Sequence, residues 1–196
     1  MSLSPDIINE YIRSRRSSFV DQFEPGKIIP DEIITELLTN ANCAPTHKLT
    51  EPWRFVVFSG EGLETLAEKQ AAIYKEFSGA KFKQNKYDKL LITPQQCSHV
   101  IAICMKRSND IPEIEEVASV ACAVQNLYLS LAPYGIGGYW STGGIVYMDA
   151  AKDWLGLSSE DKLMGFFFLG YVKVPTPHRT PGELEEKIRW VRGGEM

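Results

Sequence analysis

The segment from Val117 to Met148 contains no Asp, Glu, Lys or Arg, and this constrains the fold more than any other feature of the sequence. A charge-free run of this length is compatible with a membrane-spanning helix. However, Ser119, Gln125 and Pro133 interrupt its first part, and glycines fill much of the rest, whereas true spans are more uniformly apolar. The pattern therefore argues against a membrane protein. It favours a helix buried in a large core or in an oligomer interface, followed by a tight loop.

The composition suits one compact domain with a substantial core. The chain has 196 residues, of which 44% are hydrophobic, and nothing in it is typical of disorder. The net charge of −4 and the lack of a run rich in Lys or Arg argue against a nucleic-acid partner. The N-terminus lacks the basic and apolar regions of a signal peptide. The cysteines lack paired spacing, so we expect free thiols in a cytoplasmic protein: Cys43, Cys97, Cys104 and Cys122.

Local signals place two helices and a strand in the N-terminal part of the chain. Ser4-Pro5-Asp6 is typical of a helix start, because proline is tolerated in the first turn. Pro30-Asp31-Glu32 opens a second helix with acidic residues that suit its positive end. Phe55 to Phe58 forms an apolar strand. The polar, lysine-rich stretch from Glu64 to Lys89 has weak helical periodicity, which indicates a surface helix and a mobile cover.

Further elements follow in the C-terminal part. Val100 to Met105 is continuously apolar, which predicts a central strand buried on both faces. Pro112 begins the long helix of the charge-free run, and Asp149 caps a short helix. Residues 163 to 171 form another strand. The proline-rich tail from Val174 is expected to run extended across the surface.

Two strand–helix–strand successions suggest a layered architecture in which helices flank a mixed sheet. No internal repeat or linker divides the chain. We therefore predict a single domain over residues 1–196. Its parts are N-terminal helices with the first strand at 1–60, a mobile cover at 61–95, core strands with the long helix at 96–171, and an extended tail at 172–196.

The segment from Asn42 to Phe55 joins a helix end to a strand. The helix must stop before Pro45, since proline removes an N–H and pushes its predecessor out of the helical region. His47 and Lys48 then lie in a loop held by two rigid elements, which is a common setting for binding residues. A purely structural joint with one histidine is the alternative.

Arg15-Arg16-Ser17 combines two permanently charged planar groups with a hydroxyl, a set suited to binding a phosphate. The alternative is a solvated helix end, because arginines near a helix C-terminus also stabilise its dipole. The residues alone do not separate these interpretations.

Four pieces of the sequence belong together by order and spacing: Arg15-Arg16-Ser17, Ala44 to Trp53, Gly138 to Gly143 and Lys162 to Tyr171. Together they resemble the compact branch of the flavin-dependent nitroreductase family. The likeness spans nearly the whole chain. It implies an α+β fold with three α/β/α layers around a central mixed, mostly antiparallel sheet. It also implies an obligate homodimer packed through long central helices, with a C-terminal extension that reaches onto the partner.

The resemblance further implies a site for flavin mononucleotide (FMN) at the dimer interface. Arginine and serine contact the phosphate and ribityl chain, His47 reaches the partner's flavin, and a backbone N–H of Thr142 or Gly143 points toward flavin N5. No catalytic side chain or metal is expected, because the flavin carries the chemistry. The implied cofactor-binding residues are Arg15, Arg16, Ser17, Cys43, His47, Leu49, Trp140, Ser141, Thr142, Gly143 and Arg179.

The implied activity is the reduction of nitroaromatics, quinones or similar electron-poor acceptors, with NAD(P)H as the transient donor. Other flavin reductions on the same scaffold, such as dehalogenation or enone reduction, and flavin binding without turnover stay open. Phe19 departs from the family pattern, because many members carry a basic residue there near the flavin pyrimidine. Arg13 or Lys48 are possible substitutes for that charge.

Three other sites are less well supported. Cys43 and His47 suggest a Cys–His hydrolase, but no oxyanion site accompanies them. The histidines lack the usual zinc-ligand spacings. Gly135 to Trp140 is not a dinucleotide fingerprint, since Trp140 occupies the third small position and the loop follows a helix. We expect its glycines to let the backbone approach a flat ligand.

Overall fold

A four-stranded antiparallel sheet lies at the centre of the computed structural model, which describes residues 4–193. The strand order is β1-β2-β4-β3. The strands are β1 (Trp53–Ser59), β2 (His99–Met105), β3 (Ile136–Ser141) and β4 (Lys162–Tyr171). The predicted α+β fold with a mostly antiparallel sheet is confirmed.

The parallel pairing expected of a mixed sheet does not occur within residues 4–193, where every strand pair is antiparallel. Two helices join β1 to β2 and one short helix joins β3 to β4, and in neither case does the connection cross over so that the neighbouring strands become parallel.

In the part of the chain that the structure describes, six α-helices surround the sheet. They are α1 (Pro5–Ser14), α2 (Asp31–Asn42), α3 (Glu61–Phe77), α4 (Gln84–Ile92), α5 (Glu113–Leu131) and α6 (Asp149–Trp154). The starts of α1, α2 and α5 follow the predicted proline and acidic signals, and Ser4 caps α1 by accepting the Ile7 N–H. Asp149 is the first residue of α6, whereas Met148 occupies the cap. Asp149 instead pairs with Lys152 at 3.0 Å.

Each face of the sheet packs against its own helices. Leu37 of α2 and Leu127 of α5 belong to one core cluster, while Leu66 of α3 belongs to the other. Alternate residues of β2 enter the two clusters, and every residue of β2 is buried. The predictions of three layers and of a central strand buried on both faces are confirmed.

The polar stretch after β1 forms α3 and α4 and contributes to the core cluster that contains Leu66. α3 buries one face, including Leu66, Ala67 and Tyr74, so its lysines and glutamates reflect only the outer face. The mobility of residues 61–95 stays a prediction.

The glycine-rich segment before Trp140 is the edge strand β3, and the predicted tight loop is wrong. Its glycines serve internal packing. A Cβ at Gly137 would lie 2.5 Å from Val172 Cγ2, and one at Gly138 would lie 2.7 Å from the Phe168 carbonyl oxygen. These neighbours come from other parts of the chain, so no local pattern reveals them.

α5 covers the sheet with one face and exposes the other. Ala118, Ala121, Cys122 and Gln125 lie on its exposed face. Within residues 4–193, no helix has the length and apolar character needed to cross a membrane.

Candidate functional site

The Arg15-Arg16-Ser17 motif lies where α1 ends against α5. The Tyr11 hydroxyl donates to the Leu129 carbonyl, which holds α1 on α5. Arg16 Nη1 donates to the carbonyls of Arg13 and Arg15, each at 2.7 Å, and so binds the free end of the helix. Arg16 Nε is buried and has no hydrogen-bond partner among residues 4–193. An unpaired buried donor is costly, so an acceptor on a bound ligand would stabilise this atom.

Two cavities meet at this motif. One of about 350 Å³ lies between α1, the end of α5 and the start of β3. The other, of about 700 Å³, is lined by basic side chains: Arg13, Arg15, Arg16, His178 and Arg179. The fold therefore brings the predicted late arginine to the Arg15-Arg16 pair.

The tail reaches this motif because Thr176 anchors it. The Thr176 hydroxyl lies 3.1 Å from the Ser17 carbonyl oxygen and 3.0 Å from Ser18 Oγ. Two residues later the chain reaches His178 and Arg179. The resulting cluster is rich in positive charge, which favours an anionic ligand.

Trp140 lies at the end of β3, close to Ser17. Ser17 Oγ is 3.3 Å from Tyr128 Oη, and the Trp140 backbone N–H donates to the same oxygen at 2.7 Å. Two predicted site segments, far apart in sequence, therefore meet at Tyr128. Sequence reasoning missed Tyr128, because its position in an uncharged helix shows only an aromatic residue.

A β-bulge fixes the indole of Trp140. Gly165 pairs with Ile103 and Leu163 with Cys104, which leaves Met164 as the extra residue. The indole N–H donates to the Met164 carbonyl at 3.1 Å. Thr142 and Gly143 follow β3 and are exposed.

A third cavity, of about 340 Å³, begins beyond the end of β3. Val117, Val146, Leu163 and Met164 give it an apolar lining. Its two lysines both pair with carboxylates that also line it, Lys162 with Glu113 at 3.3 Å and Lys152 with Asp149 at 3.0 Å. The lining therefore offers apolar surface and balanced charge.

The His47 loop shows concentrated backbone strain. Lys48, Leu49 and Glu51 have φ angles of 48°, 55° and 43°, a region that residues other than glycine rarely occupy. Leu49 is 84% exposed. Such strain persists only where surrounding structure imposes it, and it concentrates at functional sites.

His47 is half-exposed and faces α5. Its Nδ1 lies 3.4 Å from Glu115 Oε2. Cys43 is exposed, and its thiol donates to the Thr39 carbonyl at 3.4 Å. Neither contact forms the Cys–His pair that a hydrolase would require.

The single chain does not bring His47 to the arginine cluster. His47 contacts Glu115 near the start of α5, whereas Ser17 and Trp140 contact Tyr128 near its end. These two helix positions are about 20 Å apart at 1.5 Å per residue. The chain thus carries two separate groups of predicted site residues.

The remaining histidine and cysteine predictions are structural. His99 is fully buried, with Nε2 3.2 Å from Asp31 Oδ1 and Nδ1 2.9 Å from Ser98 Oγ. Burial raises the pKa of Cys97 to about 12, which keeps this thiol protonated and inert. No group of three or more potential metal ligands is found in the described part of the chain.

Phe19 packs on the outside of β3. Its ring centroid lies 5.0 Å from that of Tyr139, which stacks on Phe168 at 4.9 Å. Burial, together with Cys97 and Asp21, raises the pKa of Tyr139. Arg13 lines the large basic cavity, so it supplies charge near the motif.

Comparison with known proteins decides the family. The model of the nitroreductase family matches residues 12–171. The chain belongs to the nitroreductase family. "Putative NAD(P)H nitroreductase YfhC" of Bacillus subtilis (strain 168) is 29% identical over 181 residues, which cover 88% of this chain and 91% of that protein.

Solved structures show the same fold. A nitroreductase-like family protein from Bacillus cereus superposes with a TM-score of 0.81 at 23% identity, covering 98% of this chain and 100% of that one. The FMN-dependent nitroreductase NfnB from Mycobacterium smegmatis, solved with NADPH, has a TM-score of 0.69 at 19% identity, with 95% and 99% covered. The resemblance seen in the sequence is confirmed, and this nitroreductase has its family's fold.

Proposed function

We propose that this nitroreductase is an FMN-dependent NAD(P)H oxidoreductase that reduces nitroaromatics, quinones or similar electron-poor acceptors. One observation carries the proposal: Arg16, whose Nε is buried without a partner among residues 4–193, lines a cavity together with Arg15 and Arg179. A terminal phosphate supplies the acceptor that this donor lacks. The names of YfhC and NfnB, which specify NAD(P)H, FMN and NADPH, support the same cofactors here.

The residues present fit FMN. Arg15, Arg16 and Arg179 surround one cavity and would hold the phosphate through charge-assisted hydrogen bonds. Ser17 would add a hydroxyl contact. Thr142 and Gly143 are exposed residues, and a backbone N–H of one of them would be directed toward the ring. When bound, FMN supplies two-electron transfer between NAD(P)H and the acceptor.

The protein's own residues would bind and orient the flavin and the acceptor. Trp140 is immobilised by its backbone and indole hydrogen bonds, so it would present a fixed wall to the flavin ring. The apolar cavity beyond β3 suits a flat, uncharged acceptor, since its lysines are already paired. No side-chain nucleophile is required.

A homodimer would complete the site. From Ala118 onward the exposed residues of α5 are small or uncharged, including Ala118 and Ala121, which permit close packing between helices. α1 also exposes apolar side chains, among them Ile7 and Ile12. We propose that His47, Cys43 and Leu49 reach the partner's flavin, because within one chain His47 lies far from the arginine cluster. Free thiols at all four cysteines support a cytoplasmic location.

Purification tests this proposal. We expect a yellow protein that releases FMN on denaturation. We also expect NADPH to bleach the bound flavin anaerobically and a nitroaromatic or quinone to restore the colour. A colourless protein that FMN cannot reconstitute would contradict the proposal. Bleaching without reoxidation by any such acceptor would instead indicate flavin binding without turnover.

A further inference from the structure

We infer that Tyr128 is a positioning residue that aims both Ser17 and Arg15 at the phosphate of the cofactor. This inference rests on the proposed function. Tyr128 belongs to α5, yet its side chain contacts the arginine–serine motif and the Trp140 segment together. The relatives' names and the family match assign it no role.

The hydroxyl of Tyr128 sets the direction of the Ser17 hydroxyl. The Trp140 backbone N–H can only donate, so Tyr128 Oη accepts it at 2.7 Å. We assign the Tyr128 proton to the contact with Ser17 Oγ, which is 3.3 Å away. In this arrangement Ser17 accepts, and its own proton can be donated to an incoming acceptor. A phosphate oxygen is such an acceptor.

The ring of Tyr128 supports Arg15. Arg15 Cζ lies 5.0 Å from the ring centroid, within the range of a cation–π contact. Phe167 packs edge-on against the ring at 4.7 Å and restrains it. A guanidinium held over a ring keeps its in-plane N–H groups free for a ligand. One side chain thus prepares a charged donor and a neutral donor for the same anion.

The two contacts can be separated by substitution. Tyr128→Phe keeps the ring under Arg15 and removes the hydroxyl, whereas Tyr128→Leu removes both. Tyr139→Phe is the matched control, because it deletes a tyrosine hydroxyl from the neighbouring strand β3 without touching Ser17 or Arg15.

The measurement compares FMN with riboflavin, which lacks the phosphate, by titration of the flavin-free protein. We expect Tyr128→Phe to raise the Kd for FMN about five- to tenfold more than the Kd for riboflavin, since one hydrogen bond to the phosphate loses its direction, whereas the loss of the Trp140 N–H acceptor affects both flavins. Tyr128→Leu should raise the FMN Kd about 10- to 100-fold, because the arginine contact is lost as well. Tyr139→Phe should leave the ratio of the two Kd values unchanged.

Thermal unfolding of the flavin-free variants separates positioning from folding. A purely structural Tyr128 would weaken both ligands equally and lower Tm, and that result would overturn the inference. An unchanged FMN-to-riboflavin ratio in Tyr128→Phe would also overturn it. If the wild-type protein binds no FMN, the proposed function fails as well, so the two failures are distinguishable.

Discussion

Arg16 serves two purposes at the scale of a single residue. Its Nη1 holds the carbonyl end of α1, while its Nε is buried without a partner in the described chain. The first contact is structural, and we propose that the second group meets a ligand. Under this proposal, replacing Arg16 affects the helix end as well as the cofactor, and the two effects need separate controls.

We predict that Arg16→Ala raises the Kd for FMN about 10- to 100-fold and leaves the Kd for riboflavin nearly unchanged, because a hydrogen bond to a charged group is lost. Arg54→Ala is a matched control. Arg54 Nη1 donates to the carbonyls of Glu51 and Trp53, the same pattern that Arg16 makes, but away from the basic cavity. Equal losses for FMN and riboflavin in Arg16→Ala would contradict the phosphate assignment.

The Asp161 carboxyl couples its own ionisation to the stability of the fold. Desolvation by burial raises its pKa, but hydrogen bonds from the Arg107 and Ser158 amides and the Ser158 hydroxyl, together with the charge of Lys106, lower it overall. The folded protein therefore favours the ionised form. The resulting stability is complete above about pH 4, the unfolded pKa, and is lost as pH falls through the lower folded pKa.

We expect Asp161→Asn to destabilise the protein near pH 7, and the difference from wild type to shrink as pH falls below about 4. Denaturant unfolding at several pH values measures this difference in the free energy of unfolding. Asp149→Asn is a suitable control, since Asp149 is exposed and makes only a surface pair with Lys152. A difference that stays constant down to pH 2 would show that ionisation of Asp161 is not responsible.

At the scale of elements, sequence reasoning succeeded where the signals are local. Pro5, Pro30 and Pro112 stand at or next to the starts of α1, α2 and α5, because proline and acidic residues act within one helical turn. β3 was missed for the opposite reason. Its glycines are needed because Val172 and Phe168 lie too close for a Cβ, and these two residues approach the strand only in the folded chain.

Gly165 in the β4 bulge provides a test. Its φ is +139°, and a Cβ there would lie 2.5 Å from the Ser141 carbonyl oxygen. We predict that Gly165→Ala destabilises the protein by about 2–5 kcal/mol, because backbone strain adds to a clash with main chain. Gly62→Ala in α3 meets nothing closer than 4.0 Å and should stabilise by up to about 1 kcal/mol.

Denaturant unfolding of both glycine variants supplies the measurement. Similar stabilities for the two variants would mean that the bulge tolerates a side chain. A selective loss in Gly165→Ala would also be expected to weaken flavin binding, since the bulge residue Met164 holds the Trp140 indole.

At the scale of the whole molecule, the two groups of site residues lie apart on one chain. The exposed faces of α1 and α5 offer apolar or small side chains for a second copy. We propose that a two-fold dimer places the His47 loop of each subunit against the other subunit. The sequence suggested this arrangement only through family resemblance.

We predict that mixing inactive His47→Ala and Arg16→Ala proteins restores about one quarter of the wild-type sites after complete subunit exchange. Half of the dimers would be mixed, and each would contain one intact site. The restored sites would be detected by the recovery of FMN fluorescence quenching and by the recovery of activity. No recovery after exchange verified by mass spectrometry would contradict the contribution of His47 across the dimer.

The sequence by itself determined the starts of α1, α2 and α5 and the doubly buried strand β2, and its resemblance to the family implied the class of fold. These follow from helix-start chemistry, hydrophobic pattern and motif order, all of which lie along the chain. Only the tertiary structure decided the strand character of Ile136–Ser141, the convergence of Arg179 on Arg16, and the contacts of Tyr128. The physical reason is that each depends on distances between segments far apart in sequence, which packing alone sets.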